Sequence, residues 1–349
     1  MFNCHRDVKA FHDDCVLLTE DMKQGMRDRR NANENRLKRG LESAKKPAPL
    51  EFIKQGSYAM HTMVQSEYYA SDIDDGVVFA KEALVGERGG EFSSRDAKSM
   101  VLEAMLKDDV FKRPPEIHTN CVRVYYNDGF TLDMPVYRTT QSDSEITYEL
   151  ASVDWNRAHP RGVTSWFNKQ VIDKSPDTVN GRQMRRVVKL LKAWARSRKS
   201  WSMPSGLVLS TLTDEAYFKD MALLDRDDEA LLKVMERILN RLQSSLVVGH
   251  PVVLGTNITR TSNDANMVEM RDRLAEAVPS IQVLRRADCT KVDALRAFRD
   301  LFNTDYFDAR IAELEQSAKK AATSALAITV TGRNATAPVV KKGGEGRYA

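Results

Sequence analysis

The sequence predicts an α+β protein with two lobes, in which a mixed lobe of strands and helices is followed by a helical lobe. Short β-rich runs fall within residues 52–138, and segments with helical periodicity fill the chain after residue 160. A length of 349 residues is sufficient for about two domains. We therefore expect a first lobe over residues 1–160 that begins with a long helix, a helical lobe over residues 161–316, and a flexible tail over residues 317–349.

The composition is that of a globular chain. Hydrophobic residues make up 42% of the sequence and charged residues 29%. The uncharged stretch Leu242–Thr259 is interrupted by Gly249 and Pro251, so it predicts no transmembrane helix. The first residues have no apolar signal-peptide core, and the 4 cysteines are too scattered for a zinc finger or a disulfide framework. We therefore expect reduced thiols, a cytoplasmic location and no membrane partner.

The first half of the chain alternates between helical and extended patterns. A sparse apolar stripe predicts one helix from Asp7 to Glu42, and Ser93–Leu106 is a second predicted helix with a serine N-cap. The predicted strands contain Phe52-Ile53, residues 73–79, CVRVYY (121–126) and FTLDMPVYR (130–138). The sequence Asn-Asp-Gly at 127–129 is a turn signal, so the last two strands are expected to form a hairpin.

The second half has the 3.6-residue periodicity of helices. The predicted helices are Val163–Val171, Gly181–Arg198, Gly206–Met221, Asp227–Leu246, Asp264–Ala277 and Asp293–Gln316. After Ser317 the composition changes to Ala, Thr, Gly and Lys, and the chain ends with KKGGEGRYA. Such a composition is typical of a mobile tail.

Three aspartates are candidate metal ligands. Asp72 and Asp74 occupy positions i and i+2 of a predicted strand, so their carboxylates project from the same face. Like charges this close destabilise the strand unless a cation lies between them, and oxygen ligands favour Mg²⁺ or Mn²⁺. Asp133 is a lone acid in an apolar strand, and a shared metal would give it a partner. Taken alone, each of these residues fits a solvated charged turn or a strand edge better than a metal site, and the order and spacing of all three favour the metal site.

Two further segments have the chemistry of phosphate binding. Gln55-Gly56-Ser57 offers backbone N–H groups and a hydroxyl at the start of a predicted helix. Residues 182–199 contain eight Lys and Arg side chains and no acid. We expect Arg196, Arg198 and Lys199 among these cations to be solvated.

The order of a Gly-Ser loop, an Asp-x-Asp strand and a third strand aspartate resembles the polymerase β-like nucleotidyltransferases. Within that superfamily the resemblance is to the cGAS/DncV-like nucleotidyltransferases (CD-NTases), the bacterial cyclic-oligonucleotide synthases of CBASS anti-phage defence. The motifs that carry it are QGSYAMHTMVQ, DIDDGVVF, ITYELAS, RRVVKLLKAW and MPSGLVLSTL, which are collinear between about residues 52 and 212.

The resemblance implies a polymerase β-like core with a helical C-terminal lobe, and an enzyme that joins ATP and GTP into a cyclic di- or trinucleotide with release of pyrophosphate. It assigns two Mg²⁺ ions to Asp72, Asp74 and Asp133. Asp133 would also orient or accept the proton of the acceptor hydroxyl. The residues that it assigns to nucleotide binding are Gln55, Gly56, Ser57, Lys192 and Ser205.

Two other interpretations stay open from the sequence. One is a template-independent enzyme that tails RNA or makes oligoadenylates, and the other is a catalytically idle module that binds nucleotides or nucleic acid. The expected partners are NTP substrates and a downstream effector that senses the cyclic nucleotide, with no stable nucleic-acid complex. An E1–E2-like conjugating enzyme acting on the terminal Ala349 is a further expected partner, which the resemblance suggests.

Overall fold

The computed structural model describes residues 1–66, 72–86, 89–108, 110–141, 146–178, 181–218 and 226–333, with side chains as far as residue 323. The described chain contains one mixed sheet in its first half and a set of packed helices in its second half. The predicted α+β class is confirmed. In the described residues, no helix is both long enough and apolar enough to cross a membrane.

Eight strands form the sheet in the order β3-β4-β5-β2-β6-β7-β8, and β1 pairs with β2 outside this path. Their bounds are β1 (Glu51–Gln55), β2 (Asp72–Ala80), β3 (Glu116–Ile117), β4 (Val122–Tyr125), β5 (Thr131–Met134), β6 (Val136–Gln141), β7 (Ile146–Ala151) and β8 (Trp155–Ala158). The predicted run FTLDMPVYR is divided at Pro135 into β5 and β6, which pair in parallel with successive parts of β2. The Val77 N–H donates to the Pro135 carbonyl at 2.7 Å, so the break does not interrupt pairing with β2.

Strand β2 separates a core face from a polar face. Ile73, Val77 and Phe79 are fully buried in one hydrophobic cluster together with residues of α2 (Glu20–Ser43) and α4 (Ser94–Met105). Because successive side chains alternate, Asp72 and Asp74 project from the opposite face. The capping box of Ser93 and Asp96 fixes the start of α4, as predicted from its serine cap.

The predicted single helix from Asp7 to Glu42 is wrong in its continuity. The chain forms α1 (His5–Phe11), a π-helical turn over residues 12–16, and then α2. Leu17 is extended, and the Thr19 hydroxyl accepts a hydrogen bond from the Met22 N–H as the N-cap of α2. The segment before this break was expected to belong to the first lobe. It packs instead into the hydrophobic core of the later helices.

The C-terminal half is built mainly of helices. They are α5 (Gly162–Lys174), α6 (Gln183–Ala195), α7 (Gly206–Ala216), α8 (Asp227–Ser244), α9 (Ala265–Ile281), α10 (Lys291–Phe302) and α11 (Asp308–Arg333). The predicted helix Asp293–Gln316 is two helices, because Asn303 adopts the left-handed conformation with φ 50° and ends α10. Helix α11 continues past Ser317, where the tail was expected to begin, and the segment KKGGEGRYA lies outside the described residues.

A buried ion pair holds α6 in the helical core. Arg186 is 3% exposed and donates to both oxygens of Asp227 at 2.6 and 2.9 Å, and it also pairs with Asp177. Loss of one partner of such a pair leaves a buried charge without compensation and destabilises a fold by about 3–5 kcal/mol. The pair therefore fixes the position of α6 relative to the start of α8.

Glycine at position 40 is required where α2 crosses α4. A Cβ at Gly40 would lie 2.0 Å from the Ala104 carbonyl oxygen, whereas a Cβ at Gly25 in the same helix would have no neighbour within 4 Å. We expect Gly40→Ala to lower the free energy of unfolding by about 1–3 kcal/mol, because the two helices must separate. Gly25→Ala is the matched control and should raise the free energy of unfolding by about 0.5–1 kcal/mol through helix propensity. Urea denaturation measures both, and equal effects would contradict the close approach of the two helices.

Candidate functional site

A cavity of about 390 Å³ lies where the end of β1, the start of β2 and helices α6 and α7 meet. The structure brings seven of the predicted site residues to its wall, and the eighth, Asp133, lies outside its lining. The seven are Gln55, Gly56, Ser57, Asp72, Asp74, Lys192 and Ser205. The cavity thus joins the predicted phosphate loop, the acidic strand and the basic helix, which are far apart in the sequence.

The carboxylates at this site crowd one another. Asp74 and Asp133 are register partners of the parallel pair β2 and β5, and Asp72 lies two residues earlier on the same face as Asp74. Burial, together with the negative charges of Asp72 and Asp133, raises the pKa of Asp74 to about 7. A divalent cation bound to these oxygens would relieve the repulsion, so the residues present suit a hard cation such as Mg²⁺.

The Asp133 carboxylate is held by an arginine that the sequence analysis did not identify. Arg123 on β4 donates through Nε to Oδ1 and through Nη2 to Oδ2, both at 2.6 Å. The hairpin register makes Arg123 and Asp133 direct partners, so counting residues outward from the turn at 127–129 could have found the pair. With Arg123 bound to Asp133, no three His, Cys, Asp or Glu side chains among the described residues are arranged as a complete metal site.

The phosphate loop packs directly against the acidic strand. Gly56 has φ +60°, and a Cβ at this position would lie 2.0 Å from the Asp74 Oδ2 atom. The Gln55 side-chain amide donates to the Tyr137 hydroxyl at 3.0 Å and to the Pro160 carbonyl at 3.1 Å. The helix that was expected to begin here is a single turn, α3 (Gly56–Ala59). The loop is therefore fixed by its neighbours rather than by a long helix.

Lys192 is a buried cation with only neutral hydrogen-bond partners in the described structure. Its side chain is 2% exposed, and its Nζ donates to the carbonyl and the hydroxyl of Thr62 at 2.9 and 3.1 Å. Burial, reinforced by the nearby charge of Arg196, lowers the pKa of Lys192 to about 7. An anion in the cavity would favour the charged form of this lysine.

The other basic residues near the end of α6 differ in their surroundings. Arg196 lines the cavity, and Arg198 donates to the Asp300 carbonyl at 2.6 Å and lies over the Trp201 ring. Lys199 is exposed. The expectation that all three cations are solvated is therefore wrong for Arg198, because the turn after α6 packs against the helical core.

Ser205 begins α7 at the cavity wall. Its hydroxyl accepts a hydrogen bond from the Val208 N–H at 3.4 Å and is the N-cap of the helix. A Cβ at the next residue, Gly206, would lie 2.9 Å from the Lys192 Cε atom. The start of α7 thus packs closely against the buried lysine.

Several residues of the cavity wall were not predicted, among them Thr62, Tyr137, His159 and Thr164. Burial and the Asp74 charge raise the pKa of Tyr137 to about 12, so its hydroxyl stays protonated at neutral pH. The position of Tyr137, four residues after Asp133 along one interrupted strand, is a periodic signal for the same face. The other three residues lie in loops or on α5, and no sequence signal marks them.

A substitution at Gly56 tests the contact between the loop and the acidic strand. We expect Gly56→Ala to lower the free energy of unfolding by about 2–4 kcal/mol, because the methyl group must displace Asp74 in addition to straining the backbone. Gly89→Ala is the control, since Gly89 has φ +78° and a Cβ there would meet nothing within 4 Å. Chemical denaturation compares the two variants. If Gly56→Ala lowers the free energy of unfolding no more than Gly89→Ala does, the loop can move away from Asp74 without added strain.

Comparison with known proteins agrees with this geometry. Residues 50–137 match the family model described as "Cyclic GMP-AMP synthase DncV-like, nucleotidyltransferase domain". The fold resembles that of the Vibrio cholerae di-nucleotide cyclase DncV, in a complex of a variant with ATP and GTP, at a TM-score of 0.70 and 16% identity, over 89% of this chain and 98% of that chain. DncV with the linear intermediate pppA(3′,5′)pG gives a TM-score of 0.70 at 16% identity, over 89% of this chain and 99% of that chain.

CdnC of E. coli MS115-1, solved with ATP, gives a TM-score of 0.65 at 16% identity, over 86% of this chain and 98% of that chain. At these identities the structural matches establish a shared fold, and the family model is matched by the segment that contains the loop and all three aspartates. Residues 50–137 therefore match a DncV-like nucleotidyltransferase domain, as the motifs predicted, and the chain as a whole shares the fold of DncV and CdnC.

Proposed function

We propose that this chain joins nucleoside triphosphates into a cyclic di- or trinucleotide, similar to cyclic GMP-AMP, as a signal in anti-phage defence. The observation that carries the proposal is the single cavity that gathers a Gly-Ser loop, two carboxylates and a buried lysine. Solved relatives with ATP and GTP, and with a linear pppA(3′,5′)pG intermediate, support ATP and GTP as the substrates.

The triphosphate of the donor nucleotide fits the basic side of the cavity. In this assignment the Gly56 N–H and the Ser57 hydroxyl donate to phosphate oxygens, and Lys192 supplies a positive charge from a buried position. Ser205 and Gln55 complete the wall next to them. The low exposure of Lys192 strengthens its attraction for phosphate, because little water competes for the ammonium.

The acidic side of the cavity would hold a divalent cation. Asp72, Asp74 and Asp133 are the residues that we assign to Mg²⁺, for which Mn²⁺ is a chemically similar substitute. When bound, the cation would neutralise charge between the carboxylates and the phosphates and would favour ionisation of the attacking hydroxyl.

The reaction is the attack of an acceptor ribose hydroxyl on the α-phosphorus of the donor. A new O–P bond forms, the bond between the α-phosphorus and the bridging oxygen breaks, and pyrophosphate leaves. We assign Asp133 to orient the acceptor hydroxyl and to accept its proton. The linear product then binds again with its 5′-triphosphate at the donor position, and a second attack closes the ring. Neither step needs a covalent enzyme intermediate.

A product assay separates this proposal from the two other interpretations. Incubation with NTPs and Mg²⁺, phosphatase treatment and mass spectrometry should give a small product that resists phosphatase. An RNA-tailing or oligoadenylate-type enzyme would give linear products, and an idle binding module would give none. Omission of one NTP at a time identifies the bases that are joined.

The cellular part of the proposal is a cytoplasmic synthase whose product is sensed by a downstream effector. The expected E1–E2-like partner acts on Ala349, which lies outside the described residues, so this partner stays a prediction.

Neutralising the paired aspartates should separate activity from stability. We expect Asp72→Asn with Asp74→Asn to abolish the cyclic product while the metal-free protein stays folded. The pKa of Asp74 in the folded state lies above its ordinary value of 3.8, so the folded state loses stability as the pH rises from about 4 to 7. At pH 8 the double variant should therefore be more stable than the wild type by about 1–3 kcal/mol.

The control for this double variant is Asp288→Asn, because Asp288 is an exposed aspartate that does not line the cavity. Thermal unfolding without metal and mass spectrometry of the products measure the two effects. Product formed by the double variant at the wild-type rate would contradict the metal-ligand assignment.

The pH dependence of nucleotide binding tests Lys192. Because the pKa of Lys192 in the free protein is about 7, its ammonium is increasingly lost above neutral pH. Affinity for a non-hydrolysable ATP analogue should fall above pH 7, by up to about tenfold per pH unit. Lys192→Met should bind the analogue at least about tenfold more weakly at pH 6, and it should lack this part of the pH dependence.

Lys199→Met is the control for the loss of one positive charge near α6, since Lys199 is exposed. Titration calorimetry at several pH values compares the three proteins. The same pH profile in the wild type and in Lys192→Met would exclude Lys192 as a triphosphate ligand, and equal weakening in both variants would indicate a diffuse basic surface.

A further inference from the structure

Both oxygens of the third carboxylate of the site, Asp133, are bound by an internal cation. Both oxygens of Asp133 accept hydrogen bonds from Arg123 at 2.6 Å, in the two-pronged geometry that gives arginine–carboxylate pairs their strength. The Asp133 side chain is 12% exposed, whereas 34% of the Arg123 side chain remains exposed. The guanidinium therefore contacts the carboxylate on one side and solvent on the other.

Arg123 also acts on the rest of the acidic cluster. Asp74 is the register partner of Asp133 on the paired strands β2 and β5, so the guanidinium bound to Asp133 also lies close to the second carboxylate. Asp72 and Asp74 line the cavity, and Asp133 does not. The three carboxylates are thus divided, with two facing the cavity and the third bound to arginine.

A divalent cation and the guanidinium cannot share Asp133 without repulsion. A carboxylate has about four lone-pair positions, so free positions remain on Asp133 when arginine occupies two of them. An ion at those positions would lie within a few ångströms of the guanidinium, where like charges repel strongly in a partly buried site. Because Arg123 is partly exposed to solvent, its side chain can move away from Asp133 without disrupting the hydrophobic core.

We propose that Arg123 is an internal counterion that holds Asp133 in a resting state and competes with the divalent cation for that carboxylate. The inference rests on the proposed function, in which Asp133 is a metal ligand. It adds that the chain limits its own cation affinity, and that Arg123 must leave Asp133 before all three carboxylates bind the metal.

The opposite role for Arg123 makes the opposite prediction. If Arg123 stayed in place and oriented Asp133 for the metal, its removal would weaken cation binding. If Arg123 competes with the cation, its removal strengthens binding. The sign of the change in cation affinity therefore decides between the two roles without any measurement of activity.

The experiment measures Mn²⁺ binding to the full chain without nucleotide, by titration with electron paramagnetic resonance detection of free Mn²⁺. We expect Arg123→Met to bind Mn²⁺ about tenfold more tightly than the wild type, as expected for the loss of one close competing charge. Without metal the variant should melt at a lower temperature than the wild type, because the carboxylates lose their counterion. Added Mn²⁺ should then raise its melting temperature by more than it raises that of the wild type.

Arg113→Met is the matched control. Arg113 lies over the Tyr125 ring of the same hairpin and pairs with Glu116, so its removal takes one positive charge from the same region without touching Asp133. Its Mn²⁺ affinity should stay within about twofold of the wild type. If Arg123→Met does not fold, Arg123→Lys replaces it, because lysine keeps the charge but loses the paired hydrogen bonds. A smaller gain of about two- to threefold is then expected.

Each remaining outcome overturns a defined part of the inference. Unchanged or weaker Mn²⁺ binding in the Arg123 variant, or an equal gain in Arg113→Met, would exclude competition at Asp133. If the wild type and the variants bind no Mn²⁺, the metal assignment itself fails and the inference fails with it. If the wild type binds Mn²⁺ and makes product, and the Arg123 variant binds Mn²⁺ with unchanged affinity, the proposed function stands. Only the role of Arg123 is then overturned.

Discussion

The pairing of β2 with β5 imposes the constraint on which the rest of the site depends. Parallel register places Asp74 beside Asp133, and the strand pleat places Asp72 on the same face, so negative charges meet in a partly buried position. Three features of the structure reduce this electrostatic repulsion or leave space for a cation that would reduce it. Arg123 binds Asp133, the pKa of Asp74 rises to about 7, and the cavity leaves room for a cation. A site with this excess of negative charge is suited to bind metal together with a phosphorylated substrate.

Helix α6 supplies the opposite charge, and its two buried cations show how the surroundings set their roles. Arg186 is neutralised by Asp227 in the helical core, so it fixes the helix in place. Lys192 lies on another face and hydrogen-bonds only to Thr62 among the described residues, so its positive charge is left for a ligand. A buried ammonium without a carboxylate is unfavourable in the free protein, and a bound triphosphate would supply the missing negative charge. The same helix therefore anchors the fold and serves the cavity.

Two adjacent acids on β2 show that the strand face on which a residue lies determines whether it can bind a ligand or is buried in the core. Asp74 faces the cavity, whereas Asp75 is fully buried on the opposite face against the core. Burial, together with the negative charge of Glu34, raises the pKa of Asp75 to about 7. The two residues are equivalent in composition, and only the alternation of side chains separates a candidate ligand from a buried acid in the core.

The sequence by itself determined the local elements and the types of residue at the site, because periodicity, caps and turn residues act over a few positions. It predicted the hairpin, the capped helix α4 and the residues of the loop, strand and helix that line the cavity. It did not predict the break at Leu17–Thr19 or the end of α10 at Asn303, where a local conformation overrides a continuous apolar pattern. Only the tertiary structure decided the charge states and partners. Lys192 hydrogen-bonds to Thr62, which is 130 positions away in the sequence. The pKa of Lys192 depends on burial, and burial cannot be read from a short stretch of sequence.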